Sequence, residues 1–185
     1  MNWGGQVKLY IRNAVNIKKI TLLAVLASQA IVLSIIEAWI PIPIGIPGIK
    51  LGLANIITLI ILIFFDLSDA LIIMLIRCLI SSLFSGGPVI FVFSICGGIF
   101  SAIIMWIFLK ILQRWFSLVG ISIAGSIAHN IAQIAVACLI MDDLTVANYL
   151  PVLLISGIIM GSFVGYCSTF IIKAIKKLNV ILFHI

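Results

Sequence analysis

A chain of 185 residues that is 64% hydrophobic and only 9% charged carries more apolar surface than a soluble fold of that size can hide. Soluble domains hold roughly 25% charged residues, so the composition excludes a water-soluble domain and implies one integral membrane domain. The formal net charge of +6 is accounted for by topology and anionic lipid, and no nucleic-acid partner is needed.

Residues 1–19 form a basic segment in which Trp3, Val7, Tyr10 and Ile11 alternate with Lys8, Arg12, Lys18 and Lys19. That mixture suits a short interfacial helix on the cytoplasmic side. It does not make a convincing cleavable signal peptide, because the apolar run behind it has full spanning length and more spans follow. A crossing helix needs about 20 apolar residues, with a range near 17–25. Six segments qualify, some marginally: roughly 20–37, 51–65, 70–85, 88–109, 117–141 and 149–172. The expected fold is an all-α integral membrane bundle of six transmembrane helices over residues 20–172. A basic and apolar cytoplasmic tail, 173–185, follows; its end, Leu178–Ile185, is too short to cross, and His184 is given no role.

Between the first two spans lies Glu37-Ala-Trp-Ile-Pro-Ile-Pro-Ile-Gly-Ile-Pro-Gly-Ile-Lys50. Pro41, Pro43 and Pro47 rule out a regular helix there. Together with Trp39 they suit a greasy, stiffened lid over a cavity mouth, or else a static re-entrant or interfacial segment. The second and third spans are separated only by Asp66-Leu-Ser-Asp69. This reads as a tight hairpin whose Asp66, Ser68 and Asp69 cap the third helix, rather than as a catalytic aspartate pair. Asp142-Asp143, after the fifth span, reads as solvated turn chemistry. Cys78, Cys96, Cys138 and Cys167 lie in apolar runs without metal-ligand spacing and behave as small hydrophobes.

Lipid provides no hydrophobic drive for helix association, so close packing relies on small residues at four-residue spacing. The first span offers Ala24 with Ser28, and the fourth Gly97 with Ser101 and Gly98 with Ala102. The fifth carries Gly120, Ala124, Ala128 and Ala132, and the sixth Gly157, Gly161 and Gly165. Most of these stripes are expected to pack within the bundle. The glycine triplet implies very close backbone approach without naming the neighbouring helix, and the Ala24–Ser28 stripe could instead face a partner subunit.

With six spans, Lys8, Arg12, Lys18, Lys19, Lys110, Arg114, Lys173, Lys176 and Lys177 all fall on one side. The other side holds Lys50 with Glu37, Asp142 and Asp143. The positive-inside rule then places both termini in the cytoplasm.

Arg77 stands near the middle of the apolar stretch Ala70 to Phe84, with no acidic residue expected within the neighbouring spans to neutralise it. A cation at that depth is costly and usually faces a bundle interior or a water-filled cavity. Arg77 is seven residues from Phe84, roughly 10 Å along the axis. Asn55 lies about one turn below Lys50, and His129 and Gln133 share a face near mid-span with Asn130 beside them. Ser81, Ser82 and Ser85 line the outer end of the third span. These groups are expected to converge on one cavity: Arg77 suits a carboxylate or phosphate, and the amides and imidazole supply adaptable donors and acceptors. The competing readings are that Arg77 snorkels or pairs with Glu37 or a backbone carbonyl, and that His129, Asn130 and Gln133 merely bond helices together.

No Walker loop, HExxH, GxSxG or DDxxD pattern is present, so no catalytic residue, metal or cofactor is assigned. At Pro47-Gly-Ile-Lys-Leu-Gly-Leu-Ala-Asn-Ile56 the chain resembles a bacterial membrane family known as the Gx transporter family, also called heptaprenyl diphosphate synthase component I. Leu75-Ile-Arg77 to Ser81-Ser-Leu-Phe84, Gly97-Gly98 with Ser101, Gly125-Ser-Ile-Ala-His-Asn-Ile-Ala-Gln133 and Tyr149-Leu-Pro-Val-Leu-Leu-Ile-Ser-Gly157 extend the resemblance over residues 18–172.

That family is similar to the substrate-binding S components of energy-coupling factor transporters, six-helix proteins that bind vitamins or similar molecules. The resemblance implies an outward-opening pocket beneath the first external loop. It also implies a coupling face at Ala24, Ala27 and Ser28 for a transmembrane subunit driven by ATPases, although only part of an AxxxA pattern is present. The expected function is binding of a small anionic or polar-headed molecule by Arg77, Asn55, His129, Asn130, Gln133 and Lys50, with energy from a partner. The alternatives are a non-catalytic membrane component of heptaprenyl diphosphate synthesis and a structural subunit.

Overall fold

The computed structural model describes residues 3–39, 52–85, 87–112 and 114–182. In hydrocarbon every backbone polar group must be paired within its own segment, and the described residues accordingly form helices and no strand. In chain order these are α1 (Trp3–Trp39), α2 (Asn55–Phe64), α3 (Leu67–Ser85), α4 (Pro88–Ile111), α5 (Leu118–Met141), a 3-10 helix (Leu144–Tyr149) and α6 (Leu150–Leu182). Five helices are long and apolar enough to cross a membrane, and α2 is a shorter apolar one. The protein is an all-helical membrane bundle.

Two expectations change. The residues before the first span do not form a separate short helix; they continue into the single helix α1. The second span is not a full-length helix either. Gly52 takes φ +87 and Leu53–Ala54 form a turn, so α2 begins only at Asn55 and has 10 residues. That is a rise of roughly 15 Å, about half the hydrocarbon thickness. Asn55 through Leu62 are all buried, the mark of a helix enclosed by protein on every side. Leu59, Ile60 and Ile61 meet Ala30 of α1, Ile73 of α3, Met105 of α4, Ile121 of α5 and Val164 of α6 in one core.

The chain nevertheless returns across the bundle between α1 and α3, because those two helices run parallel. Lys19 Nζ, near the middle of α1, lies 2.8 Å from Asp69 Oδ2 at the start of α3, and Arg77 Nη1 donates to Ser34 Oγ at 3.2 Å further along both. Gly52 donates its N–H to the Glu37 carboxylate at the far end of α1. Residues 52–66 therefore lead back to the Lys19 end before α3 sets off again. The turn into α3 closes as its residues suggest: the Asp66 N–H donates to Asp69 Oδ2 at 3.2 Å.

The glycine triplet packs against α5. A Cβ on Gly161 would lie 2.8 Å from Ile123 Cα, and one on Gly165 2.6 Å from Val119 Cα. Gly157 faces the Asn130 amide instead. On α5 itself, Gly120 meets only its own Phe116 and Ser117; the close approach to α4 is made by Gly125, against Met105. Ser117 caps α5 by accepting the Gly120 N–H at 3.2 Å. Asp142 closes the same helix in the left-handed region at φ 49, and Asp143 caps the 3-10 helix. None of the four cysteines forms a disulfide among the described residues, and Cys78 is buried.

Candidate functional site

Arg77 is 6% exposed and Glu37 3%, so protein encloses both side chains. Both line one small chamber, together with Ser34, Gly52, Cys78, Ser81, Ser94 and His129. The expectation that Arg77 has no acidic neighbour at membrane depth is corrected by Glu37. The sequence places Glu37 at the end of the first span, but only the parallel packing of α1 and α3 brings it to the guanidinium.

Local periodicity positions each wall. Ser34 and Glu37 are three apart on α1, and Arg77 and Ser81 four apart on α3, so each pair shares a face. From α4, Gly97 and Gly98 form a notch. A Cβ on Gly97 would stand 2.7 Å from the His129 ring, and one on Gly98 3.6 Å from Arg77 Nη2. The missing side chains give the two polar groups their room. Arg77 spends one nitrogen on Ser34, while its Nε is buried without a hydrogen-bond partner among the described residues.

Asn55 sits against Gly52 at the start of α2, its Nδ2 3.1 Å from where a Gly52 Cβ would be. Neither its Nδ2 nor its Oδ1 has a hydrogen-bond partner among the described residues. His129 reaches the chamber. Asn130 is not among the lining residues: its Nδ2 donates to the Leu153 carbonyl of α6 at 2.6 Å and so joins two helices. Gln133 is fully buried one turn further along α5, outside the chamber lining. Lys50, Pro41, Pro43 and Pro47 lie outside the described residues, and Trp39 is exposed at the end of α1. Ala24 and Ser28 are exposed on α1, while Ala27 packs partly against the core.

Ser34, Ser94 and Cys78 are chamber residues the sequence reading missed. The signal for the serines was present: Ser34 lies one turn before Glu37, and Ser94 three residues before Gly97. The chamber volume is about 10 Å³, enough for one water. Its lining mixes a guanidinium and hydroxyl donors with one carboxylate acceptor. No cluster of three metal-ligating side chains occurs among the described residues.

Fold and chamber together define a multi-pass helical membrane protein with a polar interior. The chain belongs to the heptaprenyl diphosphate synthase component I family, whose model matches residues 26–171. That range includes every chamber residue. Comparison with curated proteins and with solved structures found no match.

Proposed function

We propose that the protein is a non-catalytic membrane subunit that binds one small polar-headed molecule in this chamber. The observation that carries the reading is hydrogen-bonding capacity left unused among the described residues: Arg77 Nε on the chamber lining and, beside Gly52, both amide atoms of Asn55. A buried polar group left unsatisfied costs about 1–3 kcal/mol. A pure scaffold would pair its polar groups as Asn130 does; here the pattern favours a partner that enters. His129 on the lining, with Asn55 and Gln133 beyond it, would orient the ligand around Arg77.

Glu37 narrows the ligand class. A diphosphate would bring several negative charges to a chamber whose one guanidinium already faces a carboxylate. A neutral, zwitterionic or singly charged head fits that balance better. Uptake energised by a partner would use exposed Ala24 and Ser28 and half-buried Ala27 as the coupling face. The basic residues would lie on the cytoplasmic side of a bacterial membrane, with residues 1–19 and 173–185 as peripheral segments.

A second reading is supported by the family match itself: a non-catalytic component of heptaprenyl diphosphate synthesis, in which the chamber receives a prenyl diphosphate. A thermal-shift screen of vitamins, quinone precursors and prenyl diphosphates on purified protein separates the two. Stabilisation by a vitamin or quinone precursor that is lost in Arg77→Ala supports the first. Stabilisation by prenyl diphosphates alone, with prenyltransferase activity on adding a soluble partner, supports the second.

A further inference from the structure

At the opposite end of the bundle from the chamber, a groove of about 260 Å³ opens between α2 and α4. Leu62, Ile63 and Phe65 form one wall, and Trp106 and Leu109 the other. Asp66 and Lys110 line it as well, both exposed. Neither forms an ion pair among the described residues, whereas the neighbouring Asp69 is taken by Lys19 at 2.8 Å. One apolar slot is thus flanked by an unpaired carboxylate and an unpaired ammonium.

The groove is smaller than the roughly 300–1,000 Å³ of pockets that enclose a whole small molecule. It suits one end of an amphiphile whose remainder lies in the bilayer. We propose that it binds the headgroup end of a zwitterionic phospholipid bearing a primary ammonium. Lys110 takes the phosphate, Asp66 takes the ammonium, and the glycerol and first methylenes lie against Trp106 and Leu109. Tryptophan is at home at this polar–apolar boundary. Phosphatidylglycerol ends in a neutral glycerol, so it brings no cation to balance the Asp66 carboxylate. A quaternary ammonium headgroup has no N–H to donate to Asp66. The charge pattern therefore selects phosphatidylethanolamine over phosphatidylglycerol and phosphatidylcholine.

Native mass spectrometry of the purified protein, offered equal amounts of these three lipids with identical acyl chains, tests the assignment. Wild type is expected to retain phosphatidylethanolamine preferentially. Lys110→Gln lowers that retention about five-fold, the worth of one lysine near a membrane surface. Asp66→Asn removes the preference over phosphatidylglycerol while leaving the α3 cap, since the Asp66 backbone N–H makes the capping bond. Leu109→Trp, which fills the groove and keeps both charges, lowers retention of phosphatidylethanolamine. Equal retention of the three lipids by wild type, or a preference that survives both charge substitutions, overturns the proposal and leaves the groove to a protein partner.

Discussion

Arg77 Nη1 donates to Ser34 Oγ at 3.2 Å, one helical turn from Glu37 on the same face of α1. The bond ties α3 to α1 inside the bundle and fixes a guanidinium and a carboxylate on the walls of one chamber. Two opposite charges buried on one lining offset part of each other's desolvation cost, and losing one partner of such an arrangement costs up to about 3–5 kcal/mol. Arg77→Gln and Glu37→Gln are each expected to destabilise strongly, and the double variant to lose clearly less than their sum. Unfolding in detergent measures the cycle, and strict additivity would show that the two charges do not share one environment.

The α5–α6 seam distinguishes backbone contacts from side-chain contacts. A Cβ at Gly165 meets Val119 Cα at 2.6 Å and one at Gly161 meets Ile123 Cα at 2.8 Å. Backbone cannot step aside, so Gly165→Ala and Gly161→Ala should each cost about 1–3 kcal/mol. Gly98→Ala meets side chains and no backbone, Met74 at 2.8 Å from its Sδ and Arg77 at 3.6 Å from its Nη2, and should cost less. Melting temperatures of the three variants in one detergent rank them; an equal loss at Gly98 contradicts the packing assigned here.

Asn130→Leu removes the 2.6 Å bond to the Leu153 carbonyl. Interhelical bonds of this kind average about 0.6 kcal/mol and reach about 1.7. A stability loss in that range with ligand affinity unchanged is expected. A binding defect without destabilisation would return Asn130 to the site.

Asp143 accepts the Thr145 hydroxyl at 2.6 Å and the Thr145 N–H at 2.8 Å, which hold its carboxyl below the ordinary value of 3.8. A depressed folded pKa means that this cap is fully present above 3.8 and lost as pH falls through the lower folded value. NMR titration of the Thr145 amide should show no change at neutral pH and a transition below 3.8. Thr145→Val should move that transition upward.

Several element limits were legible because their causes are local. Ser117 before α5, Pro88 at the start of α4 and the Asp66–Asp69 turn are capping chemistry readable from a few neighbours. The length of α2 was not, because an apolar run of spanning length says nothing of where Gly52 turns the backbone. Within the site, Arg77 and His129 stood out by type and depth. Glu37 and Ser34 needed the parallel placement of α1 beside α3, a tertiary fact. His129 and Asn130 show the limit most plainly. They are adjacent in sequence but about 100° apart around the helix, so one enters the chamber and the other faces α6.

Cys78 offers the most direct test of the chamber as a ligand site, because this native thiol lines it and is buried. With Cys96, Cys138 and Cys167 replaced by serine, a small hydrophilic thiol reagent reports each opening of the chamber to water. The account predicts slow labelling of Cys78, strong protection by the compound found in the thermal-shift screen, and loss of protection at the same concentration in Arg77→Ala, where affinity falls by about ten-fold or more. Labelling that ignores a saturating, stabilising compound would contradict it.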